Sequence, residues 1–219
     1  MVSTSEKIQI PPRALVPKTD EDDPVDYYYK PLTGPLYRGR LRTAVGLLGG
    51  RRFRALIEIG YGSGIFLPEL TRHADRLVAI DVHDEARRVE EMLRRLGVEA
   101  ELRRASLFEL PFEEGEFDGL VCMSVLEHFT DLEGALAEFR RVLEPGGTAV
   151  LGFPVRNPLT DAFFRLVGYD PREIHPSSHS DILSAAERHT GFAVERVGRF
   201  PALLPTPVAA YVCCRLARR

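Results

Sequence analysis

The densest potential for chemistry in this 219-residue chain lies in seven consecutive residues, Glu58-Ile59-Gly60-Tyr61-Gly62-Ser63-Gly64. Glycine admits backbone angles that other residues resist, and it lets a ligand approach the main chain closely. The spacing selects among ligands. A dinucleotide fingerprint needs G-x-G-x-x-G, but the glycines stand at 60, 62 and 64 and Ile65 follows. The Gly-Lys-Ser/Thr of a phosphate loop is absent. Glu58 puts a carboxylate where a pyrophosphate would be repelled and a cation such as a sulfonium would be favoured. Asp81 ends the next apolar run, 21 residues after Gly60. A carboxylate there can accept both hydroxyls of a ribose. The plainer alternatives are a tight turn without ligand at the glycines and a helix-start acid at Asp81, a role for which Asp84 competes.

Three further groups could act on a substrate. His128 follows Leu126-Glu127 and is either a general base or a side chain that holds its loop. His175-Pro176-Ser177-Ser178-His179 packs two imidazoles and two hydroxyls into five residues. It reads either as the polar side of an acceptor site, through His175 and His179, or as a turn and helix cap using Ser178 or Ser180. This run supplies too few ligands for a metal, and none is expected. Tyr27-Tyr28-Tyr29 could form part of a lid that excludes water, with Tyr29 as the candidate substrate contact, or could serve only in packing.

These groups need elements to position them. Apolar runs predict strands at 55–60, 76–81, 98–103, 117–123 and 148–153. Helices are expected at 36–48, at 64–73 with Pro68 in the first turn, from Asp84 to Gly97, and from an Asp131 cap to Pro145-Gly146-Gly147. Two more are expected at 158–168 and 181–189, before strands at 192–200 and 208–216. No helix separates the last two strands, which suits an antiparallel pair. The alternation implies a mostly parallel sheet covered on both faces, with ligands at the carboxyl ends of its strands. Residues 1–35 read as a partly flexible arm and 36–219 as one domain. The segment after the fifth strand is the longest insertion. Its Phe153, Phe163, Phe164 and Tyr169 could line an acceptor pocket.

Composition excludes several classes. Net charge is −3, with 44% hydrophobic and 28% charged residues, and basic pairs such as Arg87-Arg88 have acids nearby. They read as solvated faces, so no nucleic-acid partner is expected. Cys122, Cys213 and Cys214 make neither a disulfide framework nor a zinc spacing, and a reducing cytoplasm is the expected location. The opening MVSTSEKIQIPPR lacks a signal-peptide core. No apolar stretch approaches the roughly 18 residues of a membrane span.

The runs IEIGYGSG, VAIDVH, ELPFEEGEFDGLVCMSVLEHFTD and FRRVLEPGGTAVLGFP follow one another between residues 53 and 155. Their order and spacing resemble the motifs of class I S-adenosylmethionine-dependent methyltransferases of the methyltransferase-11 kind. The resemblance implies an α/β fold with a Rossmann-like seven-stranded sheet, order 3-2-1-4-5-7-6, strand 7 antiparallel and helices on both faces. It implies S-adenosyl-L-methionine as cofactor and S-adenosyl-L-homocysteine as product. The residues implied to bind it are Glu58, Gly60, Tyr61, Gly62, Gly64, Asp81, Val82, Ser106, Leu107 and Met123. Gly60 and Gly62 would line the methionine part, Asp81 would hold the ribose, Val82 would pack on the adenine, and the Met123 carbonyl would face its amino group. Where the family often has an acid, this chain has Ala105-Ser106-Leu107, and Ser106 bonds more weakly than a carboxylate.

Methyl transfer from a sulfonium is an in-line displacement that needs alignment and sometimes a base. The leading expectation is a small-molecule acceptor. A nucleic-acid or protein methyltransferase is the alternative, against which stand the missing basic track, the missing catalytic Cys motif, and CMSVLEH in place of an Asn-Pro-Pro-Tyr-like run. A third reading is a non-enzymatic cofactor-binding module, which the intact glycines and Asp81 do not exclude. The identity of the acceptor, the choice among O-, N- and C-methylation, and the oligomeric state leave no signature in the sequence.

Overall fold

Successive side chains of a strand point to opposite faces, so a sheet built from continuous apolar runs must be covered on both sides. The computed structural model, which describes residues 8–20, 23–157, 175–188 and 191–219, meets that demand. Its strands are β1 (Phe53–Ile59), β2 (Ala74–Asp81), β3 (Glu101–Arg104), β4 (Phe117–Met123), β5 (Leu143–Pro154), β6 (Phe192–Phe200) and β7 (Tyr211–Arg218). They form one sheet in the order β3-β2-β1-β4-β5-β7-β6. The first five are parallel, and β7 runs antiparallel to both β5 and β6. This is the topology the resemblance implied. The strand order reverses between β1 and β4, which sets the ends of those two strands side by side.

Among the described residues five helices cover the faces: α1 (Gly34–Leu48), α2 (Leu67–Leu70), α3 (Ala86–Leu96), α4 (Leu132–Val142) and α5 (His179–Arg188). On one face Leu41, Leu67 and Met92 pack over Leu56, Val121 and Cys213. On the other, Phe139 and Ile182 pack over Ile57, Leu120 and Cys214. Cys213 and Cys214 therefore serve opposite cores, and all three cysteines are free and buried. Asp131 caps α4 by accepting from the Gly134 N–H at 2.9 Å. Ser178 and Asp181 cap α5 reciprocally: the Asp181 N–H donates to Ser178 Oγ at 3.3 Å and the Ser178 N–H to Asp181 Oδ2 at 2.9 Å.

Several boundaries differ from the sequence-based expectation. The helix expected over 64–73 shrinks to α2, because Gly64 still belongs to the turn (φ 71°) and residues 71–73 tighten into a 3₁₀ turn. α3 starts at Ala86 rather than at Asp84, because the N–H groups of Val82, His83 and Glu85 are taken by Asp81 and His83 side chains. Pro145-Gly146-Gly147 lies inside β5 as an irregularity between the pairs Phe117↔Leu143 and Gly119↔Thr148. β3 begins at Glu101, and β7 begins only at Tyr211, after a 3₁₀ turn at Thr206–Val208. Prolines 205 and 207 lack the N–H that a central strand must donate. The helix expected at 158–168, with Phe163, Phe164 and Tyr169, lies outside the described residues.

The described part of the arm lies against the α1 face, with Val16, Val25 and Tyr28 buried. The Gln9 N–H donates to Glu69 Oε2 at 2.6 Å, and the Tyr29 hydroxyl donates to the Pro11 carbonyl at 2.6 Å. Among the described residues, no helix is long and apolar enough to cross a membrane.

Candidate functional site

The loop leaving β1 turns through three left-handed glycines, with φ of 78° at Gly60, 49° at Gly62 and 71° at Gly64. Packing explains two of them. A Cβ on Gly60 would collide with Val125, and one on Gly64 would sit 2.5 Å from Val89 Cγ1. A Cβ on Gly62 would meet nothing within 4 Å. Gly62 thus faces open space, and its own residue is gripped from both ends. Its N–H donates to Asp81 Oδ2 at 2.8 Å. Its carbonyl accepts from His83 Nε2 at 3.0 Å, a tautomer fixed by the Glu85 N–H, which donates to His83 Nδ1 at 3.1 Å. Asp81 Oδ1 accepts from the N–H groups of Val82 and His83, at 2.7 and 3.3 Å.

Beneath this loop lies an unsatisfied acid. Glu58 is 3% exposed, and its Oε2 has no hydrogen-bond partner. Burial pushes its carboxyl up to about 8, and the nearby Asp81 charge adds to the effect. A carboxyl with a raised folded-state pKa binds its proton more tightly when folded. Its contribution to stability is therefore complete at acid pH and falls as pH rises from the ordinary carboxyl range, about 4.5, to about 8. The expected loss is up to roughly 1.4 kcal/mol for each pH unit crossed. Glu58→Gln should flatten this part of the stability–pH curve measured by urea unfolding. An unchanged slope would show that the acid stays ionised when buried.

The neighbouring groups complete a surface at the carboxyl ends of β1 to β4. Tyr61 is buried with its hydroxyl unpaired and pushed up to about 12 by burial, and its ring meets His83 edge-on at 4.9 Å. Val82 is 64% exposed and Phe108 36%, unusual for apolar side chains. Ser106 Oγ accepts from the Phe108 N–H at 3.2 Å and so closes its own turn, Leu107 is buried, and Met123 ends β4 in the core. A groove of about 660 Å³ lies elsewhere, at the amino ends of β2 and β3 near Asp75, Arg76 and Glu101. It touches none of these groups.

Past β4 the structure brings His128 and His175 together, ring centroids 5.1 Å apart. Ser177 stitches the two segments: its N–H donates to the Glu127 carbonyl at 3.3 Å and its hydroxyl to the Phe129 carbonyl at 2.5 Å. Burial lowers His175 to about 4, helped by the charges of His128 and Arg156. Burial also lowers His179, whose Nδ1 lacks a partner. Tyr29 ties the arm to Pro11, as described, and burial pushes its phenol up to about 12. It is Tyr28 that reaches inward, to a cluster the sequence did not disclose. Arg40 of α1 donates to the Tyr28 hydroxyl and, at 3.1 Å, to Ser124 Oγ. Ser124 in turn lies 2.7 Å from the Tyr211 hydroxyl and holds a left-handed φ of 58°. The rings of Tyr28, Tyr37 and Tyr211 surround the guanidinium at 5.2, 4.6 and 5.5 Å. Residues 28, 40, 124 and 211 come from four separate stretches, and no local pattern links them.

A methyltransferase domain family, Methyltransf_11, matches residues 57–151, which include the glycine loop, Asp81 and His128. Over those residues the chain is similar to methyltransferase domains. The chain is 29% identical over 126 residues to a ubiquinone biosynthesis O-methyltransferase of Alkalilimnicola ehrlichii, covering 57% of this chain and 51% of that one. It is 32% identical over 131 residues to a ubiquinone/menaquinone biosynthesis C-methyltransferase of an Enterobacter species, covering 56% and 52%. The chain thus spans about half the length of these two curated relatives. Among solved structures, geranyl diphosphate C-methyltransferase of Streptomyces coelicolor A3(2) has the same fold. Its TM-score is 0.68 at 16% identity, over 96% of this chain and 89% of that one. The [4+2]-cyclase SpnF also shares the fold, with a TM-score of 0.65 at 16% identity over 81% and 80%.

Proposed function

We propose that this chain moves a methyl group from S-adenosylmethionine to a small-molecule acceptor by in-line displacement. The observation that carries the reading is the unpartnered, buried Glu58 carboxylate oxygen beneath a glycine loop that is open at Gly62. A buried acceptor with no partner is costly, and the ammonium of the cofactor is a donor that would satisfy it. The residues present fit that cofactor.

In this reading Gly60, Tyr61, Gly62 and Gly64 line its methionine part. Asp81 has lone pairs beyond those used by the backbone, and these take the ribose hydroxyls. Exposed Val82 packs on one face of the adenine, with Phe108 nearby, while Ser106, Leu107 and the Met123 carbonyl border its edge. Bound cofactor supplies an electrophilic methyl on a positive sulfur. The chain contributes alignment, which in well-oriented reactions accounts for roughly 7–11 kcal/mol of the barrier. In this reading His128, whose ring lies 5.1 Å from that of His175, takes a proton from the acceptor. His179 and Tyr29 are assigned to the acceptor side as well.

The names of the two quinone-biosynthesis relatives support a small molecule as the acceptor. One observation favours a second reading, in which the fold holds the cofactor without methyl transfer: a structural neighbour is a [4+2]-cyclase. Two measurements decide. Calorimetry should show S-adenosylhomocysteine binding far more tightly than NAD, and tighter NAD binding would overturn the cofactor assignment. Incubation with methyl-labelled cofactor and a metabolite extract should then place label in a small molecule of mass raised by one methyl. Label found only in protein or nucleic acid would overturn the acceptor class.

A further inference from the structure

The geometry points to a binding site for one first-row divalent transition ion, held by Glu127, His128 and His175. Each of these residues offers a ligand atom, and the three atoms lie within 4.8 Å of one another. Glu127 and His128 are adjacent in the 3₁₀ turn after β4, and His175 precedes α5. The residues therefore come from two segments that the fold brings together and that the Ser177 hydrogen bonds hold in place on either side of His128. That placement is the preorganisation a metal site needs.

A second observation is independent of the clustering. Glu127 is 2% exposed, and its Oε2 has no hydrogen-bond partner. Buried carboxylate oxygens are rarely left so, and an exception calls for a ligand that the chain itself does not supply. The donor set chooses the ion. Two imidazoles and one carboxylate suit zinc, cobalt or iron, whereas magnesium and calcium prefer oxygen donors. Arg156, which donates to the His175 carbonyl at 3.1 Å, adds a nearby positive charge and makes the site poorer still for an ion held by charge alone. Donors bound at about 2.1 Å to a common ion lie roughly 3–3.5 Å apart, so the cluster must contract slightly. The exposed ring of His128 is the member with room to turn. Three protein ligands leave coordination positions for water or another oxygen donor.

The site rests on geometry and not on cofactor binding, and an ion held by His128 would take the place of the base role given to that ring above. The test uses the full untagged chain, stripped with a chelator and titrated with cobalt(II) under visible absorption and calorimetry. One equivalent should bind with an absorption band characteristic of nitrogen ligation. His175→Ala and His128→Ala should each weaken binding at least tenfold, as even supporting residues of metal sites cost 10–100-fold. Glu127→Gln should do the same, with circular dichroism as the control for folding of this buried position; exposed His128→Ala keeps the test valid if the buried variant fails to fold. Absence of saturable cobalt binding, or equal binding by the parent chain and both histidine variants, overturns the site. Calorimetry with S-adenosylhomocysteine on the same samples separates the two readings. Cofactor binding without cobalt binding overturns the ion site alone. Histidine-dependent cobalt binding without cofactor binding supports the ion site and overturns the proposed methyl transfer.

Discussion

Alanine at Gly62 should lower affinity for S-adenosylhomocysteine at least tenfold, about 1.4 kcal/mol, while the chain stays folded; alanine at Gly64 should instead damage the fold. Both positions have positive φ, and a non-glycine residue held there costs roughly 1–3 kcal/mol. The difference lies in the space around them. The new methyl at Gly62 meets nothing within 4 Å and projects into the volume assigned to the cofactor, whereas at Gly64 it meets Val89 at 2.5 Å. Overpacking of that kind adds roughly 1–3 kcal/mol, and the total is a large part of the 5–15 kcal/mol that holds a typical domain together. Thermal unfolding and calorimetry on the two variants check both halves. If Gly62→Ala binds the product as well as the parent chain does, the loop is not the cradle. If Gly64→Ala melts at the parent temperature, the Val89 contact relaxes freely and the packing argument fails.

Asp81→Ala should be the second large effect, and it should appear in two measurements at once. The sequence suggests a ribose ligand. The structure adds that the same carboxylate accepts three backbone N–H groups, from Gly62, Val82 and His83. Hydrogen bonds to a charged group contribute roughly 1.5–3 kcal/mol each, so the apo chain should lose on the order of 2–4 kcal/mol. Product affinity should fall at least tenfold, because the loop is released and the ribose acceptor is gone. Asp81→Asn separates the two roles. Its amide oxygen still serves Val82 and His83, but the amide nitrogen cannot accept from Gly62. That variant should keep more apo stability than it keeps affinity. Equal stability and equal affinity in Asp81→Ala would reduce Asp81 to a solvated helix-start acid.

What was legible in the sequence shares one property: it is local. The glycine loop, the acid closing β2 and the caps at Asp131 and Ser178 are each fixed by residues within a few positions of one another. Strand pairing followed from a regular alternation, and the antiparallel end from the missing helix between the last strands. Readings failed where distant contacts decide. The Arg40 cluster joins four separate stretches. Glu127 becomes a third donor beside two histidines only because Ser177 brings His175 back to the end of β4. Counting donors within the run 175–179 leaves out Glu127 and His128, which stand in another segment. Pro145-Gly146-Gly147 read as a stop because glycine and proline usually punctuate. Here pairing with β4 on both sides carries the strand through them. Asp84 was the obvious helix start until the side chains of Asp81 and His83 claimed the backbone around it.

The order of the strands also has a bearing on how this protein behaves at high concentration. The two outermost strands, β3 and β6, each leave a row of backbone groups with no neighbour in the sheet, and such rows invite the addition of a strand from another molecule. Both are poor templates. β3 is four residues long and carries Glu101, Arg103 and Arg104. β6 is longer, but Glu195, Arg196 and Arg199 interrupt its apolar residues, and its pairing slips between Val194 and Arg196. Replacing those charges with threonine or valine would turn the outer edges of the sheet into seeds for aggregation, and at Arg104 it would also remove the hydrogen bond to the Val82 carbonyl at the candidate site.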